Sequence, residues 1–422
     1  MSNNPKSMES LKREHLQEVF SIIYQKEKVS RAELSKLTKL TRPTISTLVN
    51  QLIETGVVIE TGARVTNVRG RNPIVLEINP DGGYIVIVIL DGKKMSVVLS
   101  NLGCEIVCEY DLHIQEMKTV DSLIIQTIES AIQEKGIEIN DVLGISICSP
   151  GIILSKSYSV LSSISTRDVN PQKTSFKAVT QHYKNIPVAI NHKGAFSAYA
   201  EKCKWDTIPK CAVYMILEES KNFGGVILID GELYEGGGNA GEIGHMSINI
   251  NGEQCYCGNR GCIEKYVEVP VILQRVQEEI DRGTATSITE IAQRAGEELN
   301  IHHVAQAYAE GDPLARVVMH EIARIMARGI DSYINVFCPE LIILGGVMPM
   351  FGDHFLQAII SQLQNRWYLN GNVSTEIRFR KGEQEEVAVG AARFFIDKLL
   401  DIPNYLKRKQ GFRKKVGSMS AE

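Results

Sequence analysis

The chain has 422 residues, 44% of them hydrophobic and 23% charged, enough to bury more than one core, and its length points to two or three domains. No run approaches the ~20 apolar residues that span a bilayer, and the first residues lack the apolar core of a signal peptide, so a soluble, cytoplasmic protein without a membrane partner is expected. Net charge is −4, yet residues 1–80 hold twelve Lys/Arg against eight Asp/Glu, so a +4 end joins a −8 body, a balance that hints at nucleic acid and is also met on ordinary solvated surfaces.

Residues 11–27 carry Leu16, Val19, Phe20 and Ile23 at helical spacing and predict an amphipathic helix. A second helix opens at Ser30-Arg31-Ala32-Glu33, a capping box in which serine oxygen and glutamate carboxylate satisfy each other's orphan backbone donors, and buries Leu34 and Leu37. A third starts at Thr41, with Pro43 in its first turn and Gly56 as its stop. Ile45, Leu48, Val49 and Leu52 face inward, leaving Arg42, Thr44, Ser46, Thr47 and Asn50 outside, small polar or cationic groups that suit a major groove. Two β-prone runs follow, 57–60 and 74–78, and the tip between them carries Arg64, Arg69 and Arg71. The expectation is a winged helix-turn-helix over residues 1–79 that binds operator DNA. Arg42 would read guanine or phosphate, the small polar residues would reach base edges or backbone, and the three tip arginines would contact groove or phosphate. A helical docking module would account for the helices alone, but it has no need of a basic hairpin tip.

After the turn-rich segment 79–83, strands are predicted over 84–90, 95–99 and 104–110, a helix near 119–135 and a strand over 142–148. A second set of strands, 212–217, 225–229, 246–250 and 341–344, repeats that order with helices between. The body is taken as residues 80–402 and the basic end, 403–422, as a tail frayed from Lys407. Six of the nine cysteines, Cys104, Cys108, Cys148, Cys203, Cys211 and Cys338, fall mostly in apolar runs and are read as reduced core residues.

The other three carry more information. His245 is followed by Cys255-Tyr256-Cys257-Gly258-Asn259-Arg260-Gly261-Cys262. One imidazole and three thiolates are the ligand types of a closed four-coordinate zinc site, and the two glycines let the chain turn sharply enough to aim Cys257 and Cys262 at one centre. Since all four positions would be protein ligands, Zn2+ is expected to be structural. Buried thiols without a metal are the plain alternative.

The run Glu242-x-Gly244-His245 with Cys255-x-Cys257-Gly258-x-x-Gly261-Cys262-x-Glu264 resembles the signature of the ROK family, which joins repressors, open reading frames and sugar kinases. The resemblance implies an α/β fold of two actin-like, ribonuclease H-like lobes as in the ROK sugar kinases, here with an N-terminal winged helix-turn-helix. It implies a zinc held by His245, Cys255, Cys257 and Cys262. It further implies a sugar in the cleft, met by Asn191, His192, Glu242, His245 and Glu264. ROK repressors also share Ser30-Arg31-x-Glu33-Leu34 and Gly70-Arg71-x-Pro73, in a module that the kinases lack.

The parts that a ROK kinase needs are altered. The first glycine-rich hairpin reads Ile89-Leu90-Asp91-Gly92-Lys93, the second Ser220-Lys221-Asn222-Phe223-Gly224, and His192 stands where the family has its aspartate base. His192 is open to two readings, a sugar contact or a residue that caps or packs at the cleft. The sequence thus points to a homodimeric or larger sugar-responsive repressor without catalysis. A sugar kinase with an unusual base, or a repressor controlled by a protein partner, are the other readings.

Overall fold

The structure is a computed structural model that describes residues 8–63, 73–114, 120–154, 157–162, 172–219, 222–238, 240–363, 375–382 and 386–409. Its chain divides into two compact units, one of Met1–Leu161, Lys173–Phe196 and Val387–Glu422, the other of Ser162–Gln172 and Ser197–Glu386. The predicted wing tip, with Arg64, Arg69 and Arg71, lies outside the described residues.

The first unit opens with α1 (Met8–Lys26), which buries Leu16, Val19, Phe20 and Ile23. The short strand β1 (Val29–Ser30) leads into α2 (Arg31–Thr38), where Ser30 Oγ accepts from Glu33 N at 3.2 Å and Glu33 Oε2 accepts from Ser30 N at 2.8 Å. Of the two leucines expected inside, Leu34 is buried and Leu37 is exposed in the last turn of α2, which ends at Thr38 before the left-handed Lys39. Helix α3 (Arg42–Glu54) is capped by Thr41 and buries Ile45, Leu48, Val49 and Leu52. Strands β2 (Val58–Ala63) and β3 (Ile74–Ile78) pair antiparallel, and β1 lies on the free edge of β3. Three helices on a small three-stranded sheet make the winged-helix arrangement.

A meander of β4 (Tyr84–Asp91), β5 (Lys94–Asn101) and β6 (Ile106–His113) follows, then α4 (Val120–Glu134) and the fully buried β7 (Val142–Cys148). Strands β8 (Ile152–Leu154), β9 (Ser159–Ser162) and β10 (Gln172–Ser175) form a separate small sheet, and α5 (Lys177–His182) precedes β11 (Val188–Asn191). The main sheet runs β6-β5-β4-β7-β11, antiparallel through the meander and parallel from β4 onward.

Helix α6 (Lys193–Lys202) carries the chain into the second unit. There β12 (Cys211–Leu217), β13 (Phe223–Ile229) and β14 (Glu232–Leu233) make a second meander. It is followed by α7 (Glu264–Val267), α8 (Val269–Asp281), α9 (Ile288–Ala295), α10 (Ile301–Glu310) and the long α11 (Pro313–Phe337). Strand β15 (Leu341–Gly346), α12 (Gly352–Leu363) and β16 (Glu376–Phe379) complete it. The sheet order is β14-β13-β12-β15-β16, again antiparallel on the meander side and parallel on the other. The two sheets therefore repeat one topology.

One predicted strand of that repeat is misplaced. Residues 246–250 form no sheet strand; the third meander strand is β14. The apolar alternation there serves a local pairing, in which Ile248 N donates to Gly261 O and Ile263 N to Met246 O, both at 2.9 Å, while Ile250 is left 82% exposed.

Helix α13 (Val387–Lys398) and a last helix over 402–409 return to the first unit. A Cβ on Gly144 would fall 1.8 Å from the Phe395 ring, so glycine is what lets α13 lie on β7. The segment read as a tail from 403 is helical through residue 409, with Ile402, Tyr405 and Leu406 buried. These residues share one apolar core with Phe20, Ile23 and Leu52 of the winged-helix module and with Ile85 and Leu143 of the sheet.

The cysteine expectation needs correction. Outside the metal motif only Cys148 is buried; Cys104, Cys108 and Cys211 are half-buried, and Cys203 and Cys338 are exposed. The last two follow the C-terminal ends of α6 and α11, where the chain turns outward. None of the nine is in a disulfide.

Candidate metal centre and sugar-facing cluster

The metal motif is built on a turn and a loop. Gly244 precedes His245 because a Cβ there would sit 2.0 Å from Phe223 O. Gly261 has φ +64, and a Cβ on it would meet Asn249 O at 1.7 Å. The first packs the His245 turn against β13 and the second packs the cysteine loop against residues 246–250, where Ser247 bridges Cys262.

The four predicted ligand atoms lie within 4.8 Å of one another. Cys255 Sγ is 3.7 Å from His245 Nδ1, and Cys257 Sγ is 3.6 Å from Cys262 Sγ. A tetrahedral zinc with Zn–S of about 2.3 Å sets its ligand atoms about 3.8 Å apart. A disulfide would need about 2.05 Å. The donor set and its spacing fit a four-coordinate metal.

Beside this group stands a polar cluster. Glu264, only 3% exposed, lies at the start of α7, and its Oε2 accepts from Phe223 N at 3.4 Å. Burial lifts its carboxyl above the ordinary range, against hydrogen bonds from Tyr256 and Phe223 and the charge of Lys265. Desolvation also raises Glu242; His245 draws it down and Glu264 lifts it again. Burial lowers His245, opposed by Glu242, and so favours the neutral imidazole that a metal binds. With Nδ1 toward the thiols, Nε2 is left for a ligand.

Glu242, His245 and Glu264 are thus brought together within the second unit. Asn191 and His192 belong to the first, at the end of β11. Asn191 Oδ1 accepts from His192 N at 2.9 Å, and His192 Nδ1 accepts from Ala195 N at 3.3 Å, so His192 caps α6. Burial pushes its pKa down to about 4. The cluster contains one residue that sequence reasoning passed over. Tyr256, a variable position of the motif, places its hydroxyl 3.4 Å from His245 Nε2.

On α3, Arg42, Thr47 and Asn50 are exposed, and Thr44 and Ser46 half-buried. Thr47 Oγ1 donates to Pro43 O at 3.1 Å, Thr44 Oγ1 shares a hydrogen bond with Thr41 Oγ1 at 2.8 Å, and Arg31 donates to Asn50 Oδ1 at 3.0 Å. Arg42 makes no hydrogen bond or ion pair among the described residues. Of the kinase hairpins, the first is a tight turn at Gly92 with Asp91 3.9 Å from Lys193, and Ser220 and Lys221 of the second lie outside the described residues.

The ROK family pattern matches residues 88–398. The xylose repressor of Caldicellulosiruptor bescii is 28% identical over 383 residues, 89% of this chain and 94% of its own. The DNA-binding transcriptional repressor Mlc of Escherichia coli is 25% identical over 370 residues, 86% and 88% of the two chains. Among solved structures, a ROK family transcriptional regulator homologous to E. coli Mlc aligns with TM-score 0.79 at 25% identity, over 94% of this chain and 98% of that one. A ROK family glucokinase from Streptomyces griseus aligns with TM-score 0.59 at 21% identity, over 74% and 98%, a likeness of fold. With its metal motif assembled and its kinase-like sheets repeated behind an N-terminal winged helix, the chain belongs to the ROK family.

Proposed function

We propose that this protein is a sugar-responsive, DNA-binding transcriptional repressor of carbohydrate-metabolism genes that performs no phosphoryl transfer. The observation that carries the reading is the combination, on one chain, of a winged helix with an open polar face and a cluster of carboxylates and imidazole suited to sugar hydroxyls. The chain also aligns over most of its length with relatives named as repressors.

Arg42, Thr44, Ser46, Thr47 and Asn50 would face DNA, with Asn50 already oriented by Arg31, itself 2.9 Å from Glu60. Arg64, Arg69 and Arg71 would add phosphate or groove contacts. One recognition helix reads few base pairs, so a homodimer on half-sites a whole number of ~10 bp turns apart is expected. Glu242, His245 and Glu264 would meet the sugar, since carboxylates bracket adjacent hydroxyls with paired hydrogen bonds, and Asn191 and His192 are the further residues at which the family resemblance implies a sugar contact. His245, Cys255, Cys257 and Cys262 would hold a structural Zn2+, which fixes the loop and the imidazole's orientation.

Absence of catalysis rests on the altered kinase positions. A base must reach the proton it takes. His192 Nδ1 accepts from Ala195 N, so the neutral ring carries its proton on Nε2, burial makes it a weak base, and Ile89 stands at the acidic position of the first hairpin.

The test is operator binding at fixed salt, on DNA from upstream of the gene and its neighbours, titrated with a panel of monosaccharides. Specific binding released by one sugar, and weakened about tenfold or more by Arg42→Ala, is the expected result. Sugar-dependent ATP turnover would establish a kinase instead, and release by a protein but by no sugar would establish control by a partner.

A further inference from the structure

The polar cluster holds one side chain to which sugar and zinc binding assign no role. Tyr256 lies between two of the cysteines, its ring edge-on to the His245 imidazole at 5.2 Å between centroids. Its hydroxyl is 3.4 Å from His245 Nε2 and also interacts with the Glu264 carboxylate. As a metal ligand, Nδ1 presents its lone pair toward the thiols, so the imidazole proton sits on Nε2. The tyrosine oxygen then accepts from the imidazole while its O–H is free to donate to the carboxylate. A sugar hydroxyl would make the same pair of bonds, one accepted and one donated.

We propose that Tyr256 is a built-in competitor of the ligand, its hydroxyl occupying in the free protein the position that His245 Nε2 and Glu264 define for a sugar hydroxyl, so that a sugar binds by displacing it. This rests on the sugar-binding reading above. The three groups differ in freedom to move. Glu264 is buried and tied to Phe223 N, and His245 is fixed by the turn at Gly244. Tyr256 is 50% exposed, and a change of side-chain rotamer turns its ring to solvent without moving the backbone between Cys255 and Cys257.

The tyrosine is also an incomplete substitute. Its contact with Nε2 is long for a hydrogen bond, and Glu264 Oε1 is buried without a full hydrogen bond among the described residues. A ligand that places two adjacent hydroxyls across the imidazole and the carboxylate satisfies what a single phenol leaves open. The class selected is therefore a polyhydroxylated ring such as a monosaccharide, and the competition sets how much of it is needed.

The experiment is calorimetric titration of full-length protein and its Tyr256→Phe variant with the same monosaccharide panel, with zinc content and melting temperature confirming that the variant is folded. Phenylalanine keeps the ring and removes only the competing hydroxyl, so the variant should bind its sugar ~2- to 10-fold more tightly, the worth of one neutral hydrogen bond. Tyr256→Leu should tighten binding as well. Sugar binding by the variants alone would also support the proposal. Unchanged or weaker binding to Tyr256→Phe, with the unaltered protein binding sugar, overturns the competitor role and leaves the sugar reading standing. Binding of no monosaccharide by any of the three proteins removes both.

Discussion

Cys257 shows how far a single residue can be read. It is the exposed cysteine of the four proposed ligands, while Cys255 and Cys262 are buried in the loop. Cys257→Ser should therefore leave the apolar packing intact and act through the metal. We expect zinc content to fall well below about one ion per chain, with a lowered melting temperature, because a closed site that loses one of four ligands loses much of its affinity. Full zinc retention, measured by atomic absorption on purified protein, would refute the ligand set. The four clustered residues are legible in sequence because the chemistry of a metal site restricts residue type and spacing together. Tyr256 is not, since the motif leaves its position open and only folding carries its hydroxyl to the imidazole. His192 is legible in sequence as a substitution and as a candidate cap, and what folding adds is its bond from Ala195 N, which depends on where α6 begins.

Among the elements, the joint between α1 and the helix over 402–409 links the winged-helix module to a late segment of the chain. The Gln17 amide donates to Leu400 O at 3.0 Å and accepts from Ile402 N at 2.9 Å, a two-way clamp across more than 380 residues of sequence. Arg13 adds a 2.8 Å bond to Asn404, and Tyr405 donates to Gly82 O at 2.9 Å. Gln17→Ala would leave the Ile402 N–H, in a buried residue, without its acceptor, and so should cost about 1–3 kcal/mol. The urea midpoint of the full chain should drop accordingly, and an unchanged midpoint would mean that water replaces the clamp. Helices and strands were readable where pattern and punctuation agree, as at the Ser30 and Glu33 box, Pro43 and Gly56. The strand expected over 246–250 failed because its alternation stabilises a loop pairing rather than a sheet edge. The charges after residue 403 speak for a tail, while Tyr405 and Leu406 within it fill a core that no local pattern reveals.

At the scale of the whole molecule, the winged helix and the first main sheet share one core, so the winged-helix module and that sheet belong to one compact unit. A sugar that changes operator affinity must then do so by binding two states of the molecule unequally, and only this difference counts. Reversing a 99:1 preference takes ~10⁴-fold tighter binding to the released state, so a weakly discriminating sugar gives partial release even at saturation. Linkage adds a stricter demand. If saturating sugar weakens operator binding by some factor, saturating operator must weaken sugar binding by the same factor, whatever the path between the sites. The prediction is that operator affinity with and without sugar, and sugar affinity with and without operator, measured at one salt concentration, yield equal ratios. A sugar that releases operator in a crude mixture, yet binds equally well to free protein and purified complex, would act through another component. That result would assign control of operator binding to a partner and leave the polar cluster around His245 with a different task.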